Sequence, residues 1–147
     1  MTIAVDFDGT IVTHRYPEIG EEIPFAIETL KALIRDRHRL ILWSVREGGL
    51  LDEAVEWCRQ RGVEFYAINR DYPEESKEGN HNYSRKLKVD LFIDDRNVGG
   101  LPEWGVIYDM ITKKRTWHDL LEEAECGASG TAYCSPADKP KKKWWQI

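Results

Sequence analysis

Short apolar runs with strand character alternate along this chain with segments whose apolar residues recur at helical spacing. The strand-like runs lie at about residues 2–6, 40–43, 63–68, 89–93 and 105–108, and the helix-like segments begin near residues 24, 50 and 117. This alternation is typical of a parallel sheet covered by helices. We therefore predict an α/β fold: a three-layer, Rossmann-like domain with a mainly parallel central sheet and the element order β-α-β-α-β-β-β-α.

The length of 147 residues suits one domain with one hydrophobic core. We assign residues 1–125 to that domain. Residues 126–147, where the composition shifts to Gly, Ala and Ser and then to Pro and Lys, are predicted to be a flexible C-terminal tail. No apolar run reaches membrane-spanning length and the N-terminus lacks a secretory signal pattern, so we expect a cytoplasmic protein without a membrane span.

The cysteines and the net charge exclude some classes of protein. Three cysteines are too few for a disulfide framework, and Cys58 falls on the apolar face of the second predicted helix, where we expect a buried core residue. The formal net charge of −5 argues against a general nucleic-acid binder. Residues 139–145 mix Lys with Trp and could contact phosphates, bases or a membrane surface, but a solvated tail is the favoured interpretation.

The pentapeptide Asp6-Phe7-Asp8-Gly9-Thr10 ends the first predicted strand. It places two carboxylates two residues apart where an apolar segment gives way to a turn that Gly9 permits. Acidic side chains are normally solvated, so their crowding at the edge of a core indicates a bound cation, a proton-transfer role, or both. A plain Asp-Gly turn is the alternative.

Further polar residues stand at corresponding positions of other predicted strands. Ser44 follows the second strand, Asp94 and Asp95 follow the strand at 89–93, and Lys86 precedes that strand. Because ligands bind outside the carboxyl ends of parallel strands, we expect these side chains to meet at one edge of the sheet. Clustered acids repel one another unless a hard cation neutralises them, which predicts Mg²⁺. Ser44 and Lys86 are suited to hold a phosphate there.

Each of these residues also has an ordinary structural interpretation. Ser44 could cap the helix that follows it. Lys86, with Arg85 and Lys88, could belong to a solvated face, and Asp94-Asp95 could form a turn. Their joint occurrence, in this order, favours a functional site.

The residues in this order resemble the haloacid dehalogenase-like (HAD) superfamily. Its four motifs are a D-x-D-x-T strand end, a Ser or Thr after the second strand, an upstream Lys and a final acidic pair, and all four are present in residues 1–111. The likeness is greatest to small capless bacterial members with a K-x-x-x-D-x-x-I-D-D-R segment, which Lys86, Asp90 and Arg96 match. The resemblance implies a HAD-like domain without a cap.

The resemblance also implies the role of each residue. Asp6 would be the nucleophile that forms an aspartyl-phosphate, and Asp8 the general acid and base. Ser44 and Lys86 would bind the phosphoryl oxygens. The implied Mg²⁺ ligands are the side chain of Asp6, the backbone carbonyl of Asp8, Asp94, and Asp95 through water. Apart from the resemblance, Arg46 and Arg96 are candidates for substrate binding, with ordinary surface charge as the alternative.

The predicted substrate is a phosphate ester. A magnesium-dependent phosphatase on a small metabolite, such as a nucleotide or sugar phosphate, is favoured. The alternatives are a phosphatase on nucleic-acid ends or phosphoprotein, aided by the basic tail, and a binding or regulatory module without turnover. In the HAD superfamily an uncapped site goes with large substrates or with a homo-oligomer, so the resemblance leaves both open. The loop at 69–84, with Tyr72, His81, Asn82 and Tyr83, is the candidate for substrate contacts.

Overall fold

The computed structural model describes residues 1–75 and 86–129, and for residues 125–129 it describes the helical backbone only. In chain order the described elements are β1 (Thr2–Val5), α1 (Ala26–Arg35), β2 (Arg39–Leu42), α2 (Gly48–Gln60), β3 (Ala67–Ile68), β4 (Leu91–Ile93), α3 (Trp104–Lys113) and α4 (Trp117–Ser129). The chain divides into two compact units, Met1–Gly105 and Val106–Ile147. The whole sheet belongs to the first unit.

The four described strands form one sheet in which every pair is parallel, in the order β3-β2-β1-β4. Strand β1 lies inside the sheet, where Val5 is in register with Leu42 of β2 and Ile93 of β4. The strand order reverses at β1, because β2 lies on one side of it and β4 on the other. The prediction of an α/β chain with a parallel sheet is confirmed, and the strand order is consistent with a Rossmann-like layout.

The core forms around the two inner strands. Ile3, Ala4 and Val5 are buried along β1, as are Leu40–Leu42 along β2, which explains why both strands are continuous apolar runs. Helix α1 lies against β2, and its buried residues include Leu30 and Leu33, three positions apart on one face. A further cluster of buried side chains joins neighbouring strands with the segment before β4: Ala4, Ile41, Ala67 and Leu87.

The prediction of a strand at 105–108 is wrong. These residues belong to helix α3, so the observed order is β-α-β-α-β-β-α-α. Trp104, Ile107 and Ile111 are buried, and their spacing of three and four residues is that of one helix face. A four-residue apolar run fits a strand and a buried helix equally well, which is why the local pattern was misleading.

Two predicted strands are shorter than expected, and one helix is longer. Only Ala67–Ile68 of the run at 63–68 pairs with β2, and β4 begins at Leu91. Helix α4 continues to Ser129, so the first residues of the predicted tail are helical, while residues 130–147 lie outside the described part of the chain.

Two other expectations concern burial and membranes. Cys58 is fully buried, as predicted, and burial raises the pKa of its thiol to about 12. Across the described ranges, no helix combines the length and the apolar character that crossing a membrane requires.

Replacing Leu30 by Ala should lower the free energy of unfolding by about 2–5 kcal/mol, because the change leaves a cavity where α1 packs. Lys31 is the next residue of the same helix and is exposed, so Lys31→Ala should change stability by no more than about 0.5 kcal/mol. Urea unfolding of both variants measures the difference. Equal stabilities would show that α1 does not depend on this buried face.

Candidate active site

Asp6 lies at the carboxyl end of β1, where the strand order reverses. Its backbone N–H donates to the carbonyl of Ile93, which extends the pairing of β1 and β4 by one residue. Burial raises the pKa of the half-buried Asp6 carboxyl to about 6. A hydrogen bond from the Phe7 backbone opposes this shift, and the negative charges of Asp94, Asp95 and Asp8 add to it.

Asp94 and Asp95 bring two further carboxylates to Asp6. Each of the three half-buried residues offers an oxygen, and these oxygens all lie within 4.8 Å of one another. The carboxylate of Asp94 also accepts a hydrogen bond from the backbone N–H of Arg96 at 2.8 Å. Asp94 therefore belongs to a turn and to the acidic cluster at the same time. Sequence reasoning had treated these two roles as alternatives.

The environment of Asp95 fits a bound cation. Its backbone N–H donates to the hydroxyl of Thr10 at 3.0 Å, which fixes the residue beside the pentapeptide. Its Oδ1 atom is buried and has no hydrogen-bond partner among the described residues. A buried, unpaired carboxylate oxygen beside two other acids is costly, and a metal ion would satisfy it.

Gly9 allows this close approach. Its φ angle of 90° lies in the region that favours glycine, and a Cβ atom built on it would lie 2.5 Å from Oδ2 of Asp95. The glycine of the pentapeptide therefore serves both the turn and the acidic cluster.

Thr10 links the pentapeptide to two residues that lie far away in the sequence. It is fully buried, its hydroxyl accepts from Asp95, and its carbonyl accepts the indole N–H of Trp104 at 3.1 Å. Sequence reasoning gave Thr10 no physical role, because hydrogen-bond partners so distant in the chain leave no local signal.

Asp8 has a different partner from Asp6. It is 4% exposed and forms a two-point ion pair with the fully buried Arg46: Nε donates to Oδ2 at 2.6 Å and Nη2 to Oδ1 at 2.7 Å. These bonds are the chief cause that raises the pKa of the Arg46 guanidinium. The sequence offered substrate binding or an ordinary surface charge for Arg46; the surface position is wrong, because the side chain is fully buried against Asp8.

Ser44 is held at the end of β2 by Asn69, which follows β3. The Ser44 N–H donates to Oδ1 of Asn69 at 2.8 Å, and Nδ2 of Asn69 donates to the Ser44 carbonyl at 2.9 Å. The alternative that Ser44 caps the next helix is wrong, because α2 begins at Gly48 with Glu47 as its N-cap. Asn69 was missed by sequence reasoning, although its position at a strand end was a usable signal.

Most of the predicted site residues line a single cleft of about 740 Å³. Those that do are Asp6, Asp8, Ser44, Asp94 and Arg96. The same cleft is lined by His14 and Glu47 and by the aromatic side chains of Tyr16 and Trp43. Five of the residues that line the cleft were therefore predicted from the sequence, whereas its aromatic side chains were not.

Lys86 and the predicted substrate loop are described only in part. Lys86 is exposed and directly follows the segment 76–85, which lies outside the described residues, so its contact with phosphate stays a prediction. Of the predicted substrate contacts, Tyr72 is exposed, whereas His81, Asn82 and Tyr83 lie outside the described ranges.

Comparison with known proteins identifies one similar solved structure. No protein-family model matches the chain, and no curated protein matches it either. A conserved protein coded by a locus of Bacteroides thetaiotaomicron has a solved structure that matches with a TM-score of 0.77 and 72% sequence identity. The match covers 82% of this chain and 96% of that one. The chain therefore belongs to the same family as this conserved Bacteroides thetaiotaomicron protein.

Proposed function

We propose that this protein is a magnesium-dependent phosphomonoester hydrolase of the HAD type that acts on a small phosphorylated metabolite. The observation that carries the proposal is the acidic cluster: oxygens of Asp6, Asp94 and Asp95 within 4.8 Å of one another at the point where the strand order reverses. Ligands of open α/β sheets bind at that point. The resemblance of the motifs to the HAD superfamily supports the same reaction.

The residues of the cluster suit a hard divalent cation. The carboxylates of Asp6, Asp94 and Asp95, with the backbone carbonyl of Asp8, would hold Mg²⁺, which prefers oxygen ligands. Oδ1 of Asp95 has no hydrogen-bond partner in the described part of the chain, which supports a place for this residue close to the ion. When bound, the cation offsets the negative charge of the acids and of the phosphoryl group.

Asp6 is the nucleophile of the proposed reaction. Its carboxylate oxygen forms a bond to phosphorus while the bond from phosphorus to the ester oxygen breaks, and Asp8 gives a proton to that leaving oxygen. Asp8 then takes a proton from water as that water attacks phosphorus, and the bond from phosphorus to the Asp6 oxygen breaks. Inorganic phosphate is released, Asp6 is restored as a carboxylate, and Asp8 again carries the proton that it gave in the first step. Ser44 and Lys86 hold the phosphoryl oxygens during both steps.

The cleft favours a small ester over a large one. A cleft of about 740 Å³ with Tyr16 and Trp43 along its wall is of the size that binds nucleotides and sugar phosphates. The alternative substrates, nucleic-acid ends and phosphoprotein, depend on the basic tail at 139–145, which lies outside the described residues.

Asp6→Asn should reduce magnesium-dependent hydrolysis of 4-nitrophenyl phosphate by at least about 10³-fold, because the amide is not a nucleophile. EDTA should stop the wild-type reaction. Asp52→Asn is the matched control, since Asp52 is an exposed acid on α2 and its loss should leave the rate unchanged. Full activity of Asp6→Asn would exclude the mechanism. Failure of the wild type on a wide panel of phosphate esters with Mg²⁺ would favour a module without turnover.

The acidic cluster should also make stability depend on pH. The pKa of Asp6 is raised from 3.8 to about 6, so within this window the folded protein keeps a proton that the unfolded chain has released. In EDTA, the stability of the wild type relative to Asp6→Asn should therefore fall as the pH rises through the window. Above it, Mg²⁺ should stabilise the wild type more than Asp6→Asn. Urea unfolding measures both, and identical responses of the two proteins would contradict a cation site at Asp6.

Gly9→Ala should raise the half-saturating Mg²⁺ concentration by about 10–100-fold, because the new methyl group displaces Asp95. Gly49→Ala is the control: its Cβ atom meets nothing within 4 Å, and the half-saturating concentration should stay within about twofold. Magnesium titration of activity and of thermal stability gives both values. An unchanged magnesium response of Gly9→Ala would remove Asp95 from the proposed site.

A further inference from the structure

The side chain of Arg46 is fully buried, and each of its guanidinium nitrogens donates a hydrogen bond. Beyond the two bonds to Asp8, Nη1 donates to the carbonyl of Pro17 and Nη2 to the carbonyl of Glu18, both at 2.9 Å. The guanidinium carbon also lies 5.3 Å from the centre of the Tyr16 ring. These contacts leave Arg46 in a closed environment of protein atoms.

These contacts join three loops. Arg46 lies between β2 and α2, Asp8 follows β1, and Pro17 and Glu18 belong to the loop at 13–22. That loop also carries His14 and Tyr16, which line the cleft. One side chain therefore fixes the orientation of Asp8 and links Asp8 to a wall of the cleft.

Stability alone is a weak explanation for such a pair. Removing two charges from water carries a penalty that often matches their mutual attraction, so a buried ion pair contributes little net stability. A two-point pair does define the plane and the direction of a carboxylate. A group that transfers protons requires such a fixed geometry.

We propose that Arg46 is a positioning residue, which holds the Asp8 carboxylate in the orientation from which it serves the leaving oxygen and couples it to the loop at 13–22. The inference rests on the proposed function. It assigns to Arg46 an action through Asp8, with no contact between Arg46 and substrate.

The choice of leaving group tests this role. An alkyl alcohol leaves only if its oxygen receives a proton, whereas 4-nitrophenolate leaves without one. In a single turnover, Arg46→Gln should slow the release of an alkyl alcohol by about 10²–10³-fold and the release of 4-nitrophenolate by no more than about threefold. Arg46→Lys keeps the charge but cannot form the two-point pair, so it should show the same selectivity.

Two further measurements separate positioning from other roles. If Arg46 acts through Asp8, adding Arg46→Gln to Asp8→Asn should cause no further loss of alkyl ester turnover. This double variant also removes both buried charges, so it can be assayed even if Arg46→Gln alone does not fold. Inhibition by inorganic phosphate should keep its wild-type constant in the Arg46 variants, whereas a substrate-binding arginine would weaken it. Arg59→Gln, at an exposed arginine of α2, should match the wild type in every assay.

The outcomes distinguish this inference from the function on which it rests. A wild type that hydrolyses neither ester overturns the proposed function and the inference together. If the wild type is active and the folded Arg46 variants lose activity equally on both esters, the inference alone is overturned. Additive losses in the double variant, or weaker inhibition by phosphate, also overturn it. If both Arg46 single variants are unfolded, the double variant decides. A double variant that folds but hydrolyses alkyl esters more slowly than Asp8→Asn would assign Arg46 a structural role instead.

Discussion

Repulsion among carboxylates at the end of β1 is the constraint on which the site depends. Asp6, Asp94 and Asp95 are half-buried; burial makes the ionisation of Asp6 less favourable, and the charges of Asp94 and Asp95 add to this effect. Gathering such groups does not stabilise a fold, since moving each carboxylate into water would lower the free energy. The turn at Gly9 and the hydrogen bond from Asp95 to Thr10 keep them together. The local structure therefore opposes a repulsion that a cation would relieve.

The sheet order brings together acids that lie far apart in the sequence. Strands β1 and β4 are neighbours although most of the described chain lies between them, so Asp6 and Asp94 leave the same edge of the sheet side by side. Because the next strand along the chain, β2, lies on the other side of β1, the position beside Asp6 stays open for β4. The site is thus a consequence of where the strand order reverses.

The sequence predicted those features that depend on a local residue pattern or on general properties of parallel sheets. It predicted the parallel sheet, the two inner strands and the acids at the strand ends, because buried parallel strands are apolar runs and their carboxyl ends share an edge. It did not predict the helix at Trp104–Lys113, since a short apolar run has no distinct period. It also missed the roles of Arg46 and Asn69. An arginine in a loop usually lies in solvent, and its burial here depends on Asp8, Pro17 and Glu18, which no local pattern connects to it.

The two acids of the pentapeptide differ because of their neighbours. Asp6 and Asp8 both line the cleft, whereas the side chain of Phe7 between them is buried and contacts Trp57 edge to face. Asp6 meets other carboxylates, and Asp8 meets a guanidinium. Two chemically identical groups, two residues apart in the chain, therefore lie in different electrostatic environments, as pairs of carboxylates in active sites often do.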